Sequence, residues 1–129
     1  MDHPGYEFPV HRIPNIGPAE RKKRVSFGTI AIVIGAALAA YLVLGGAPRP
    51  WRLAVLLPFW GGAVGLFQAF EKTCVALSAR GVRNMDSGDE PMTNAEELKQ
   101  VRAQARKVQI ESFVAALVAT ALVALLPTP

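Results

Sequence analysis

The sequence has little of the chemistry that marks small secreted, metal-binding or catalytic domains. Its single cysteine, Cys74, excludes a disulfide within the chain. Its two histidines, His3 and His11, lie far from that cysteine, which leaves too few ligands for a structural zinc site. It contains no Walker motif, dinucleotide fingerprint or HExxH sequence, and no serine lies at the spacing of a hydrolase triad. We therefore expect no enzymatic activity, cofactor or metal.

Charge is also absent from three long segments, and this absence is more informative. The run 25–48 follows four consecutive cations, and two further charge-free runs cover 53–70 and 112–129. A helix over the first part of the first run is about 30 Å long, which matches the hydrocarbon core of a bilayer. A chain of 129 residues has too little interior to bury three such helices as a soluble domain. We therefore expect an all-α integral membrane protein with three transmembrane helices. The expected spans are residues 25–46, 53–71 and 108–126 of a membrane domain that covers 25–129.

The distribution of the 14 Lys and Arg residues predicts the topology. Segment 1–24 carries five of them, the loop after the first run carries two, segment 72–107 carries seven and the C-terminus carries none. Cytoplasmic segments are rich in Lys and Arg, so three crossings with the N-terminus inside place twelve of the 14 on the cytoplasmic side. We expect a prokaryotic plasma membrane, a cytoplasmic N-terminus and an external C-terminus. The first run is longer than a signal-peptide core, so we expect a retained anchor.

These cations also bear on the partners of the protein. No aromatic platform accompanies them, which argues against binding to nucleic acid. Beside apolar runs they set topology and contact anionic lipid headgroups. The expected headgroup and topology residues are Arg21, Lys22, Lys23, Arg24, Arg80, Arg83, Arg102 and Arg106.

The first 24 residues form a proline-rich arm. Prolines 4, 9, 14 and 18 exclude a stable helix there, but apolar residues such as Tyr6, Phe8 and Ile16 lie between them. Two interpretations remain open. The arm is either disordered, or an extended segment that docks on a partner or on the cytoplasmic helices of its own chain.

Helices two and three are expected to continue beyond the membrane. The helical pattern of the second runs on to Arg80, with Gly81 as a C-terminal cap, and Pro58 should kink it or lie in irregular first turns. The third starts at the capping box Thr93–Glu96 and meets no Gly or Pro before Leu126. We expect a cytoplasmic helical hairpin over 72–107, with a loop at 82–92.

Small residues recur at helical spacing in all three runs. Such residues let transmembrane helices approach closely, either within one chain or between copies. Gly61 and Gly65 form a GxxxG sequence in the second run. The predicted helix-packing residues are Gly35, Ala39, Gly61, Gly65, Ser112, Ala116 and Thr120.

A polar cluster is expected at the inner boundary of the membrane. Ionisable groups at that depth are usually paired or functional. A cross-helix pair of Glu71 with Lys107 is the simpler interpretation, and a proton- or cation-handling cluster is the alternative. No acidic residue lies near the middle of a run, which argues against proton-coupled transport. The cluster comprises Gln68, Glu71, Lys72, Lys107 and Glu111.

Nearby, Cys74 is expected to pack in a core, or else to be reactive beside Lys72 or palmitoylated.

These patterns predict a small accessory or scaffold subunit of a larger membrane complex, with membrane lipids and other membrane subunits, or a second copy, as partners. The alternative is a homo-oligomeric channel or small transporter, with a pore lined by Thr120, Ser112 and Gln68. A lipid-modifying or redox enzyme that uses Cys74 or Glu71 is the third hypothesis.

Overall fold

The computed structural model describes residues 13–128, which are mainly α-helical. Three helical segments, Pro18–Leu44, Arg49–Glu71 and Ala95–Leu125, are long and apolar enough to cross a membrane. The chain is therefore a multi-pass, predominantly helical membrane protein. Its elements in order are α1 (Pro18–Leu44), a 3-10 helix (Arg49–Val55), α2 (Leu56–Glu71), α3 (Val75–Arg80), β1 (Val82–Asn84), β2 (Asp89–Pro91) and α4 (Ala95–Leu125).

Helix α2 lies between α1 and α4 and packs against both. Glycines bring α1 and α2 together: a Cβ at Gly28 would lie 2.8 Å from the Gly62 carbonyl oxygen, and a Cβ at Gly65 would lie 2.9 Å from the Arg24 carbonyl oxygen. A Cβ at Gly61 would meet no atom within 4 Å. Of the predicted GxxxG pair, only Gly65 therefore contacts another helix of this chain, and Gly62 takes the place of Gly61.

The other predicted packing residues lie on buried faces. A Cβ at Gly35 would meet the Phe59 ring at 2.7 Å, and Ala39 belongs to an apolar cluster with Leu42 and Val55. Three more occupy the buried face of α4, namely Ser112, Ala116 and Thr120.

Helix α1 begins earlier than expected. Residues 18–24, assigned from the sequence to the non-helical arm, form its first turns. Proline is compatible with the first turn of a helix, where its missing N–H has no helical partner. The Asp86 carboxylate accepts hydrogen bonds from the N–H groups of Ala19 at 3.0 Å and Glu20 at 3.1 Å. An acidic group from a distant loop thus caps this helix.

Helix two does not continue to Arg80. The long second helix that was expected to form one arm of the hairpin is therefore wrong. Helix α2 ends at Glu71, and Lys72 has left-handed backbone angles (φ 56°). The N–H of Thr73 donates to the Gln68 carbonyl at 2.9 Å, which closes the helix end as in a Schellman motif. The six-residue α3 then packs against α4 as a separate element. At the other end of helix two, Pro58 lies in the first turn of α2, directly after the 3-10 helix.

The segment expected as a loop contains a small β-hairpin. Strands β1 and β2 pair antiparallel, with Val82 opposite Pro91 and Asn84 opposite Asp89. Helix α4 follows as one continuous helix of 31 residues. Its N-cap is Asn94, which accepts a hydrogen bond from the Glu97 N–H at 3.0 Å, so the helix starts one residue after the predicted Thr93 cap.

Candidate functional site at the basic end

The two ends of the helical assembly differ in charge. We call the end formed by the start of α1, the end of α2 and the first half of α4 the basic end. Of the 14 Lys and Arg, Arg12 lies outside the described residues, Arg49 and Arg52 lie at the opposite end, and the remaining eleven lie at the basic end. We call the structure that covers this end the cap: residues 13–17, 72–92 and the first turns of α4.

The visible part of the N-terminal arm docks on its own chain. Residues 13–17 are extended, and Ile16 forms a parallel bridge with Asn84. The Asn15 N–H donates to the Lys72 carbonyl at 3.0 Å, and the Asn84 N–H donates to the Asn15 carbonyl at 2.8 Å. Ile16 is 1% exposed and packs on Cys74 and Leu77. The docked interpretation therefore holds for residues 13–17, whereas residues 1–12 lie outside the described part of the chain.

The side chain of Asn15 pairs with backbone as a second strand would. Its Nδ2 donates to the Cys74 carbonyl at 3.1 Å, and its Oδ1 accepts from the Cys74 N–H at 2.7 Å. Asn15 is fully buried. Each of these polar groups is matched, so the amide is buried without the penalty of an unpaired donor or acceptor.

Gln104 joins the arm to α4 and to the end of α2. Its Oε1 accepts from the Ile13 N–H at 2.9 Å, and its Nε2 donates to the Ile13 carbonyl at 2.9 Å. The same Nε2 lies 2.8 Å from Thr73 Oγ1, whose hydroxyl donates to the Glu71 carbonyl at 2.8 Å. Neither Asn15 nor Gln104 was among the residues predicted from the sequence. The sequence offered one indication of Gln104: it is an amide on the apolar face of α4 that also carries Val101 and Val108.

The predicted boundary cluster separates into different contacts. Glu71 is 2% exposed, and the Lys107 ammonium lies 3.5 Å from its carboxylate. Gln68 Oε1 instead accepts from the Val75 N–H at 3.0 Å and caps α3. Lys72 is exposed, and one oxygen of Glu111 is buried without a hydrogen-bond partner among residues 13–128. Only Glu71 and Lys107 are therefore brought together. Within the described residues, no group of three His, Cys, Asp or Glu side chains is placed to hold a metal.

Two of the predicted headgroup cations also bind carbonyls at helix ends. Arg21 Nε donates to the Ala69 carbonyl at 3.1 Å, near the end of α2. Arg102 Nε donates to the Ser78 carbonyl at 3.1 Å, near the end of α3. A cation there is stabilised by the unpaired carbonyls and the negative end of the helix dipole.

The other predicted cations either form ion pairs or have none with a described residue. Lys23 and Arg24 both contact Glu20, at 3.1 and 3.2 Å. Arg80 lies 3.4 Å from Asp89, and Arg83 lies 2.7 Å from Glu90. The two exposed pairs, Arg80 with Asp89 and Arg83 with Glu90, contribute little to stability. Of these remaining predicted cations, two are exposed and have no ion pair with another described residue, namely Lys22 and Arg106.

Cys74 lies in the core of the cap. It is 6% exposed and packs with Ile16 and Leu77. The cation whose charge interacts with Cys74 is Arg24 rather than the expected Lys72. Burial on this scale favours the packing interpretation over palmitoylation, because an acyl transfer requires an accessible thiol.

The opposite end is closed by a buried arginine that was not predicted as a site. Arg52 is 0% exposed. Its Nη1 donates to the carbonyls of Val123 at 3.0 Å and Leu126 at 2.6 Å, and its Nη2 lies 3.4 Å from Thr128 Oγ1. Arg49 also donates to a carbonyl at the end of α4. These are the carbonyls that a helix C-terminus leaves without helical partners.

Comparison with known protein families, with curated proteins and with solved structures finds no match to this chain.

Proposed function

We propose that the protein is a non-enzymatic accessory or scaffold subunit of a larger membrane complex, and that its cap is the docking surface. In this proposal the protein lies in a prokaryotic plasma membrane with the basic end in the cytoplasm. The positive-inside rule supports that orientation, because eleven of the described Lys and Arg residues lie at the basic end and two lie at the other.

The cap is the observation that carries this proposal. Its buried amides, Asn15 and Gln104, join three segments of the chain, and their donors and acceptors are used inside the cap. Such a network fixes one arrangement of the backbone. The exposed side of α4 then presents a basic groove of about 450 Å³. Its lining residues are Ala95, Leu98, Lys99, Arg102, Ala103 and Arg106. A rigid basic surface at one end of a membrane protein suits an acidic segment of a companion subunit.

The positions of the predicted pore residues favour a subunit over a channel. Ser112 is 0% exposed and Thr120 is 5% exposed, on the face of α4 that packs inside the chain. A pore between several copies would need such hydroxyls on the outer surface. Gln68 is likewise engaged, as the cap of α3.

The polar groups suggested for an enzyme are also in structural contacts. Glu71 is buried and paired with Lys107. Cys74 is buried in the cap core. A catalytic acid or nucleophile must reach its substrate, so these placements support a structural role for both residues.

The test is extraction of the native protein in a mild detergent, followed by native-gel sizing and mass spectrometry. We expect a large band in which the chain is accompanied by at least one companion at fixed stoichiometry. The variant Lys99→Gln/Arg106→Gln should lose that companion. The matched control Lys22→Gln/Lys23→Gln removes the same charge from α1 and should keep it. A single-protein band, or equal loss in both variants, contradicts the proposal.

Orientation is tested separately with a membrane-impermeant maleimide in intact cells. In a Cys74→Ala background, we expect labelling of Thr128→Cys from outside and of Asp89→Cys only after the cells are opened. The reverse pattern would place the basic end outside and contradict the proposed topology.

A further inference from the structure

A groove runs between α1 and α4 on the side of the molecule where both pack on α2. Near the basic end it has a volume of about 610 Å³. Apart from Arg21 its lining is apolar: Val25 and Ile32 from α1, Ala115 from α4, and Ala63, Leu66, Phe67, Ala69 and Phe70 from α2. Most of these residues lie in segments that cross the membrane. The groove therefore opens toward the acyl chains of the surrounding bilayer.

Near the basic end of the molecule, this groove continues into a second, polar recess. That recess has a volume of about 420 Å³ and is lined by Pro18, Arg21, Lys22, Val25 and Ser26. Arg21 and Val25 line both spaces. The apolar groove and the basic recess are thus adjacent parts of one elongated site.

Two cations of the recess are available to an anion. Arg21 uses its Nε to bind the Ala69 carbonyl, and its two terminal nitrogens form no hydrogen bond with another residue of 13–128. Lys22 is exposed and forms no ion pair or side-chain hydrogen bond within the described part of the chain. The Ser26 hydroxyl adds a neutral donor beside them. Arginine, lysine and serine together suit a phosphate group.

We propose that this site binds one anionic phospholipid from the leaflet at the basic end. One acyl chain lies in the groove along Val25, Ala63 and Phe67, and the phosphate lies against Arg21 and Lys22. Charge complementarity selects this occupant: a helix of a companion, or of a second copy, would fill the apolar part but would leave both cations beside it without a counter-charge. The inference does not depend on the proposed subunit function.

The headgroup half of the site is tested by native mass spectrometry of the full-length protein in micelles with equal amounts of phosphatidylglycerol and phosphatidylcholine. We expect one phosphatidylglycerol to be retained in preference to phosphatidylcholine. Lys22→Gln should weaken its retention about fivefold, the effect of one basic residue near an anionic membrane surface. Lys23→Gln is the matched control: Lys23 lines neither space, pairs with Glu20 and should leave retention unchanged.

The acyl half is tested by filling the groove. Val25→Trp places a large ring in it and should reduce phosphatidylglycerol retention at least as much as Lys22→Gln. Val33→Trp makes the same change at an exposed position of α1 outside the groove and should have no effect. Glycerol phosphate, which has the anion without the chains, should not displace the lipid at equal concentration.

Four results would overturn the inference. Equal retention of the two lipids would remove the anionic preference, and equal loss in Lys22→Gln and Lys23→Gln would indicate a diffuse surface field. Unchanged retention in Val25→Trp would place the acyl chain elsewhere. A lipid-free dimer that Val25→Trp dissociates would show that a second copy occupies the groove.

Discussion

The network that joins the cap and the contact that closes the opposite end of the molecule use different polar groups. At the basic end, the neutral amides of Asn15 and Gln104 join segments that are far apart in the sequence. At the opposite end, the charged Arg52 binds carbonyls at the end of a single helix. Amides have both donors and acceptors, so they can pair with extended backbone on both sides. A guanidinium has only donors, which suits a helix end where only carbonyls lack partners.

The difference also predicts how much stability each end loses when one of its polar contacts is removed. The contacts of Arg52 are hydrogen bonds to a charged group, which are stronger than neutral ones. The hydrogen bonds of Asn15 and Gln104 are individually weaker but link three segments of the chain. The loss of one of these side chains should therefore loosen the cap without detaching a helix. Four substitutions test this comparison, from the largest expected effect to the smallest.

Arg52→Ala should have the largest effect. It removes the charged donor to the Val123 and Leu126 carbonyls, and a hydrogen bond to a charged group contributes about 1.5–3 kcal/mol, so we expect a loss of about 3 kcal/mol in the free energy of unfolding. Reversible unfolding in mixed micelles measures this. Arg49→Ala, at an exposed site with one carbonyl contact, should cost under about 1 kcal/mol. Equal losses of stability in Arg52→Ala and Arg49→Ala would contradict the expectation that the buried arginine contributes more than the exposed one.

Asn15→Ala should lower the free energy of unfolding by about 2 kcal/mol, because it leaves the Cys74 N–H and carbonyl without their side-chain partners. Hydrogen exchange should accelerate at Cys74 and Asn84 and stay unchanged at the end of α4. Gln100→Ala, at an exposed amide that contacts Gln104, should change stability by less than about 0.5 kcal/mol. Faster exchange at both ends would show that they are not independent.

Gly65→Ala tests the helix contact beside the basic end. The added methyl would meet the Arg24 carbonyl oxygen at 2.9 Å, so we expect overpacking to cost about 1.5 kcal/mol. Gly61→Ala adds the same methyl in open space and should stabilise α2 by about 0.5 kcal/mol. Unfolding in mixed micelles compares the two. A loss in Gly61→Ala would show that this face contacts another chain.

Asn94→Ala should have the smallest effect, about 1 kcal/mol, because it removes one helix N-cap at an exposed position. Faster hydrogen exchange should be confined to the first turn of α4, at residues such as Glu97. Thr93→Ala is the control, since Asn94 rather than Thr93 caps the helix, and it should leave exchange unchanged. Faster exchange in Thr93→Ala but not in Asn94→Ala would show that Thr93 caps the helix, as the sequence predicted.

The membrane-spanning helices were predictable because their signals are local. Absence of charge over about 18 residues marks each span, and the uninterrupted run of helix formers from Glu96 predicted the long α4. The depth of Glu71 and Lys107 follows from their distance to the apolar runs, which is why their pairing could be anticipated.

The cap was not predictable because its contacts join distant positions. Asn15 and Cys74 are 59 residues apart, and nothing near either residue indicates the other. The end of α2 lacks the usual glycine: Lys72 adopts left-handed angles that few non-glycine residues take. Arg52 looked like a loop cation, because the sequence does not show which carbonyls lie opposite it.

The most direct test of the central claim, that the cap is the docking surface, is site-specific photo-crosslinking in native membranes. A photoreactive phenylalanine replaces Lys99 in the basic groove of α4, or Val33 on the apolar face of α1 as the control. We predict that position 99 yields one adduct with a companion subunit of defined mass, which is lost when Arg106→Gln is added, and that position 33 does not yield it. Absence of a protein adduct at position 99, or an adduct only with a second copy of the chain, would contradict the account.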